Sequence, residues 1–261
     1  MRRSGLLIPL FSSPSTSSWG IGDISDLAPT TAWLAAAGQR VLQLLPLNEM
    51  AAGQQSPYSA TSAMAIDPIY IDMAGVPEVA AIGGEASLDA RDRGSLAAAR
   101  GALRVDYASV RRLKQAVLVA AFDWFYASEW SADSPRALSL KEFLAAEAWW
   151  VEDYALFRAV HDRESNRPWM EWPEPLRTRQ AEALDRARRE LEREILFYQY
   201  LQWIADAQWR KARAAARANG VQLFGDLPFM VDGDSADVWL HQDDFSLDVS
   251  VGVPPDAFSA T

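Results

Sequence analysis

Cysteine is absent from this chain of 261 residues, which removes disulfides, thiolate nucleophiles and cysteine-based zinc sites and leaves nothing to staple an extracellular scaffold. Histidine occurs only twice, as His161 and His241. Two imidazoles so far apart give little support to a histidine metal centre or a Ser/His triad. No apolar run approaches the ~20 residues that span a bilayer. No phosphate loop of the Walker type is present, and Gly20-Ile21-Gly22 lacks the third glycine of a dinucleotide fingerprint. Positive charge is also short: the formal net charge is -10, so a nucleic acid or an anionic membrane is not an expected partner. Met1-Arg2-Arg3 followed by Gly5 to Phe11 has the outline of a signal peptide, but Pro9 interrupts the apolar run and no small-residue cleavage pattern follows. A first strand is the better reading, and a cytoplasmic protein the expectation.

What is present is apolar residues, at 49% of the chain, enough to bury a large core. Gly5 to Phe11 reads as a strand buried on both faces, as in a parallel sheet. A Ser/Pro/Gly loop follows, then a helix that Asp23, Ser25 or Asp26 can cap and that Gly38 stops. Val41 to Leu47 reads as a second buried strand, which completes a βαβ unit. Asn48 to Asp67 is long and polar for a connection and reads as a functional loop. Beyond Ala74, and up to about Gly220, the composition turns to Ala, Leu, Glu and Arg with its apolar residues at helical spacing. Within it, Leu184, Ala187, Leu191, Ile195, Tyr198 and Ala205 share one face from Arg177 to Asn219, as one long helix or two in series. Gly220 ends that block, and Val221 to Asp226 reads as a third strand delivering a carboxylate. The expected organisation is therefore residues 1–75 with two strands and the loop, 76–219 as a helical insertion, and 220–261 with the third strand and a second loop.

Asp226 stands out on physical grounds, because a carboxylate just past a buried parallel strand lies on the rim where such folds place their sites. A helix cap or a loop brace explains one such Asp about equally well. Asp232, Asp234 and Asp237 lack the spacing of a calcium loop and read as solvated acids or an N-cap. Ser56-Pro57-Tyr58-Ser59 offers an aromatic face flanked by hydroxyls, suited to a sugar ring. Of the eleven tryptophans, Trp33, Trp149, Trp203 and Trp209 fall in helical patterns and read as core, whereas Trp19 falls in a loop and is the better binding candidate.

Several motifs in order resemble the amylomaltase (4-α-glucanotransferase) family: Gly5 to Leu10 with Trp19-Gly20-Ile21-Gly22-Asp23, Ala37 to Arg40 with Gln43 to Leu47, Ser56 to Ser59, Asp67 to Ile71, Trp172-Pro173 with Leu176-Arg177, Gly225 to Phe229, Asp234 to Trp239, and Gly252 to Ser259. They cover the chain nearly end to end. The resemblance implies an α/β fold, the first three strands of a (β/α)8 TIM barrel with a large helical insertion. It also implies cofactor-free, metal-free transfer of α-1,4-glucan segments between maltodextrins by a retaining covalent mechanism. The family's nucleophile lies on the fourth strand and its other catalytic carboxyls later still, so no catalytic residue is assigned here; all are expected downstream of Thr261. Supporting roles carry over: Ser56 and Tyr58 on the donor side, Asp226 beside the nucleophile, Asp256 and Phe258 on a loop over the acceptor groove. The family often has Tyr where this chain has Ala257, and Asn where it has Asp67. Relatives commonly continue with Gly-Gln where this chain has Thr261, which makes an incomplete gene the expectation. Two rival readings are a non-catalytic carbohydrate-binding module or pseudoenzyme, and a small independent glycosidase using Asp226 with Asp256.

Overall fold

The computed structural model describes residues 3–51, 56–227 and 231–249. Three short strands form a parallel sheet in the order β1 (Gly5–Leu7), β2 (Val41–Gln43), β3 (Gln222–Phe224), with Leu6 opposite Leu42 and Leu42 opposite Leu223. Helix α1 (Leu27–Ala36) joins β1 to β2. Between β2 and β3 run α2 (Pro77–Ala81), α3 (Ala90–Gly101), α4 (Tyr107–Phe125), α5 (Pro135–Arg163), α6 (Glu174–Arg177), α7 (Ala181–Glu190) and α8 (Glu192–Ala218), and α9 (Ala236–Leu240) follows β3.

Local chemistry explains the boundaries. Asp23 accepts the Ser25 amide at 3.1 Å, and Asp26 accepts the Asp23 amide at 2.8 Å, so the two acids share the capping of the turn that opens α1. Gly38 and Gly220 take positive φ, +77° and +68°, and let the chain fold back on helix ends that a β-carbon would hinder. The periodic stretch from Arg177 to Asn219 is two helices in series, parted at Leu191 (φ -115°). The larger of the two core clusters lies between α4, α5 and α8 and contains Tyr154, Phe157, Tyr200 and Trp203. A smaller cluster with Ile21, Leu34, Leu42 and Val221 lies under the sheet.

The strands are shorter and barer than the sequence suggests. The run from Gly5 to Phe11 is extended only to Leu7; Pro9 leads into a turn at Leu10–Ser12. Leu6 and Leu7 are 42% and 52% exposed, and Phe224 is 60% exposed. The reason is topological: β1 and β3 are the two edges of the described sheet, and only the central β2 has neighbours on both sides, so Leu42 alone is fully buried. The tryptophan assignments also need correction. Trp203 is buried and Trp209 half-buried, but Trp33 and Trp149 are 58% and 69% exposed. Helical spacing places a residue on a face without saying whether anything covers that face.

The segment after the long loop is held without a strand. Gln202 of α8 both donates to Ile66 O (2.9 Å) and accepts from Ile66 N (3.0 Å). Gln208 does the same for Asp72, at 2.9 and 2.8 Å. Each amide side chain thus replaces a strand neighbour. Between them, buried Lys114 donates to Ile69 O and Ile71 O at 2.7 Å each. Burial pushes the Lys114 ammonium down to about 8, against the opposing pull of Asp23 and Asp72. Above that value the unfolded chain, titrating near ~10.4, binds a proton the folded chain does not, so stability rises with pH between the two values. Measured against Lys114→Met, in which the buried tyrosines titrate alike and cancel, wild-type protein is expected to gain about 2 kcal/mol from pH 8 to 10 by urea unfolding. An equal slope in both proteins would refute it.

Candidate functional site

Tyr58 and Asp226, 168 positions apart, meet: the Tyr58 hydroxyl donates to Asp226 Oδ2 at 2.9 Å. Asp226 follows β3, whose last carbonyl, Phe224 O, accepts from Leu44 N at 2.9 Å. Tyr58 stands on the loop after β2, in a turn closed by Ser59 N to Ser56 O at 3.1 Å. Ser56 is exposed, and its hydroxyl accepts from Tyr58 N at 3.4 Å. The Tyr58 ring is 45% exposed and Asp226 half-buried. The hydrogen bond to Asp226 pushes the Tyr58 phenol above its ordinary value, so Tyr58 stays protonated, and the other Asp226 oxygen can accept from a ligand hydroxyl. The pair therefore presents an aromatic face beside a carboxylate, the combination that binds a sugar ring by stacking and hydrogen bonding.

The two loops are stitched together. Asp232 N donates to Ala60 O (3.0 Å), Ala236 N to Thr61 O (2.8 Å), and Ala63 N to Asp237 Oδ2 (2.9 Å). Burial raises Asp237 above the usual carboxylate range. Asp237, expected to be solvated or to cap a helix, is thus a brace, while the Asp232 carboxylate accepts only the nearby Asp234 amide at 2.9 Å. Ser235 caps α9. Asp234 accepts from Trp169 N at 2.9 Å and faces His161 Nε2 at 2.9 Å, so buried His161 is a clamp between the helical layer and the loop.

Trp19, expected to offer a binding face, is only 3% exposed and belongs to the main core. Its neighbour explains why. Gly20 has φ +82°, and a β-carbon there would lie 2.7 Å from Ala99 Cβ, so the loop packs directly onto α3 and tucks the indole inside. Asp256 and Phe258 lie outside the described residues, as does the Asp226–Asp256 separation on which the small-glycosidase reading depends.

Sequence reasoning missed Glu49. It follows the second strand as Asp226 follows the third, and the same rim argument would have found it. Glu49 is 4% exposed, accepts the Tyr154 hydroxyl at 2.5 Å, and faces Arg158 Nε at 3.5 Å. Burial pushes the Tyr154 phenol well above its ordinary value. The group borders a cavity of about 310 Å³ with Arg111 and Tyr198. Asp67 holds Arg111 in place there, accepting from its two terminal nitrogens at 2.9 and 2.7 Å while capping Ile69 N at 3.0 Å. The charge that distinguishes Asp from Asn at this position is therefore spent on Arg111. Among the described residues, no group of three or more His, Asp or Glu could hold a metal ion.

Comparison with known proteins places this geometry. The sequence signature described as 4-alpha-glucanotransferase matches residues 8–261. The chain is 36% identical to a 4-alpha-glucanotransferase of Thermus thermophilus over 267 aligned positions, 100% of this chain and 50% of that protein. It is 33% identical to one of Chlamydia pneumoniae, covering 99% of this chain and 47% of that protein. The chain spans about half the length of the curated relatives it matches. Among solved structures it is similar to an amylomaltase from Streptococcus agalactiae in complex with acarbose, with TM-score 0.81, 28% identity, and coverage of 99% of this chain and 51% of that one. An amylomaltase from Corynebacterium glutamicum aligns with TM-score 0.76 at 26% identity, covering 99% of this chain and 35% of that one. The three parallel strands and their helices are thus part of a TIM barrel.

Proposed function

The chain belongs to the 4-alpha-glucanotransferase family, and on that footing we propose that it supplies one wall of a groove in which an α-1,4-glucan segment passes from one maltodextrin to another. The observation that carries this reading is the Tyr58–Asp226 hydrogen bond at 2.9 Å, which fixes a stacking ring and a carboxylate where the loops after β2 and β3 converge. Tyr58 takes the apolar face of a glucose unit, and Asp226 accepts from its hydroxyls or from a neighbouring catalytic side chain. Ser56 lies within the same turn. The chemistry itself needs a carboxylate nucleophile that forms a glycosyl-enzyme, and a second carboxyl group ~5 Å away that serves as acid and then as base. Transfer outruns hydrolysis when a sugar hydroxyl, held by an extended binding surface, reaches the intermediate before water. Those carboxylates are assigned to the half of the family's length that this chain does not span. The reading includes no cofactor, and a cytoplasmic place of work, to which the cysteine-free sequence is suited.

A self-sufficient carbohydrate-binding module is the weaker alternative, because such a module would not be expected to leave Leu6, Leu7 and Phe224 bare on both edges of its sheet.

The test is maltotriose disproportionation, following glucose and longer maltodextrins. The 261-residue chain alone is expected to release neither. Joined to the second half of the Thermus thermophilus relative, it is expected to release both, and Tyr58→Phe or Asp226→Asn in that hybrid to lower kcat/KM about 10- to 100-fold, the value of a hydrogen bond to a charged group. Turnover by the chain alone would overturn the placement of the carboxylates. Unchanged kcat/KM in both variants would overturn the role of the pair.

A further inference from the structure

Directly after α4 the chain makes a π-helical turn, Tyr126–Trp130, closed by Ser131 N donating to Tyr126 O at 3.2 Å. Turns of this width are uncommon and recur at functional sites. Tyr126 and Trp130 both border a cavity of about 370 Å³ that the turn shares with α5 and the start of α8, a volume in the range of small-ligand pockets. The cavity lies far from the sheet: Gln199 on its border and Ala218, where α8 ends before β3, are separated by roughly 28 Å of helix. None of its lining residues belongs to a strand or to the loops that carry Tyr58 and Asp226. It therefore owes nothing to the bare edges of β1 and β3.

Buried Leu156 and Leu196 give it an apolar floor beside the two rings. Cations pin those rings, Arg193 at 5.0 Å from the Tyr126 centroid and Lys141 at 5.1 Å from that of Trp130. The arginines on the border already have partners: Arg193 pairs with Asp123 at 2.7 Å, and Arg188 with Asp185 at 3.2 Å and Asp153 at 3.5 Å. Glu152, Glu192 and Gln199 border the same space, yet make no ion pair and no side-chain hydrogen bond among the described residues. The first turn of α8 favours an acid, which accounts for Glu192 but not for Glu152 or Gln199. An anionic ligand would meet two uncommitted carboxylates, and a cationic one two guanidinium groups. A neutral ligand rich in hydroxyls meets neither obstacle, because the carboxylates and the amide take its hydroxyls while the rings and leucines take its apolar faces.

We propose that this cavity docks a short stretch of an α-1,4-glucan outside the transfer groove. Glu152 and Glu192 accept from sugar hydroxyls, Gln199 donates and accepts, and Trp130 with Tyr126 packs against a pyranose ring. A long maltodextrin held there keeps its free end near the protein, which raises its effective concentration in the groove. That the sugar is an α-glucan rests on the proposed function; that the cavity takes a neutral sugar does not.

The experiment is calorimetric titration of the whole 261-residue chain with maltohexaose and with cellohexaose. It is repeated in Tyr58→Ala, which removes the ring of the groove, and in Tyr58→Ala/Glu152→Ala/Gln199→Ala. Maltohexaose is expected to bind saturably to wild type and to Tyr58→Ala, and cellohexaose, a straight ribbon that a concave seat does not follow, more weakly. The triple variant is expected to bind maltohexaose about 10-fold or more weakly than Tyr58→Ala, the loss of a hydrogen bond to a charged group. Circular dichroism of that variant establishes that it is folded. Loss of all maltohexaose binding in Tyr58→Ala confines the glucan to the groove and overturns this proposal alone. Wild-type affinity in Tyr58→Ala that falls in the triple variant supports the cavity and counts against Tyr58 in the groove. No saturable binding of maltohexaose, equal binding of cellohexaose, or unchanged affinity in the folded triple variant overturns the proposal.

Discussion

Replacing Trp239 by Ala is expected to lower the unfolding free energy by about 4 kcal/mol, the middle of the range for losing a large buried aromatic ring. Trp239 is fully buried. Its ring lies 5.6 Å from Trp172 and 5.7 Å from Phe157, centroid to centroid, and Arg179 sits 4.4 Å above it. The indole nitrogen donates to Leu176 O at 3.0 Å. Deletion therefore opens a cavity walled by rigid aromatic rings that cannot close over it, and leaves the Leu176 carbonyl with only the Arg179 amide, at 3.2 Å, as its donor. Trp239→Phe keeps most of the volume and is expected to cost about 1–2 kcal/mol, chiefly the hydrogen bond and the unfilled remainder. Urea unfolding of the three proteins decides the matter. A loss below about 1.5 kcal/mol in Trp239→Ala would mean that the cluster repacks and that this aromatic layer does not hold α9 against α5.

Arg136→Met is expected to cost about 3 kcal/mol, for a different reason. Glu78 is 1% exposed, and its carboxylate is gripped by Arg136 through two hydrogen bonds of 2.7 and 2.9 Å. The guanidinium also lies 4.2 Å over the Trp203 ring. Removing the cation leaves a buried anion without its counter-charge, a change that costs ~3–5 kcal/mol. The lower end applies because the Arg136 side chain is 35% exposed and water can enter in its place. Removing both charges, as Arg136→Met with Glu78→Leu, is expected to restore most of the loss. The shortfall is about 1 kcal/mol for the Tyr200 hydroxyl, which donates to Glu78 at 3.3 Å and would lose its acceptor. If the double variant is no more stable than the single one, the cost belongs to packing against Trp203 and not to the stranded charge.

The parts of this molecule that could be read from its residues are those governed by local chemistry. Gly38 and Gly220 mark helix ends because only a residue without a β-carbon takes their φ comfortably, and the face shared by Leu184, Ala187 and Leu191 marks α7 because period and burial agree. Tyr58 and Asp226 were each legible from position, one as an aromatic ring in a polar loop and one as a carboxylate at a strand end. Their hydrogen bond was not, since nothing within either segment encodes a partner 168 positions away. Trp19 was misread for the complementary reason: loop residues are exposed as a rule, but Gly20 allows this loop to lie against α3. The bare strands β1 and β3 show the same limit from the other side. Their apolar sequences report how deeply they are meant to be covered, not what covers them.

The two glutamine clasps on α8 have a kinetic consequence. The amide hydrogens of Ile66 and Asp72 lie outside the sheet, Ile66 making only an isolated bridge with Asn48, yet each is held by a glutamine side chain of the same helix. Neither can meet solvent deuterium through fraying of its own segment while α8 stays seated; both must await the withdrawal of that helix. In heavy water these two amides should therefore exchange slowly and with one common opening free energy, and thereby time the motion of α8 from a place outside it.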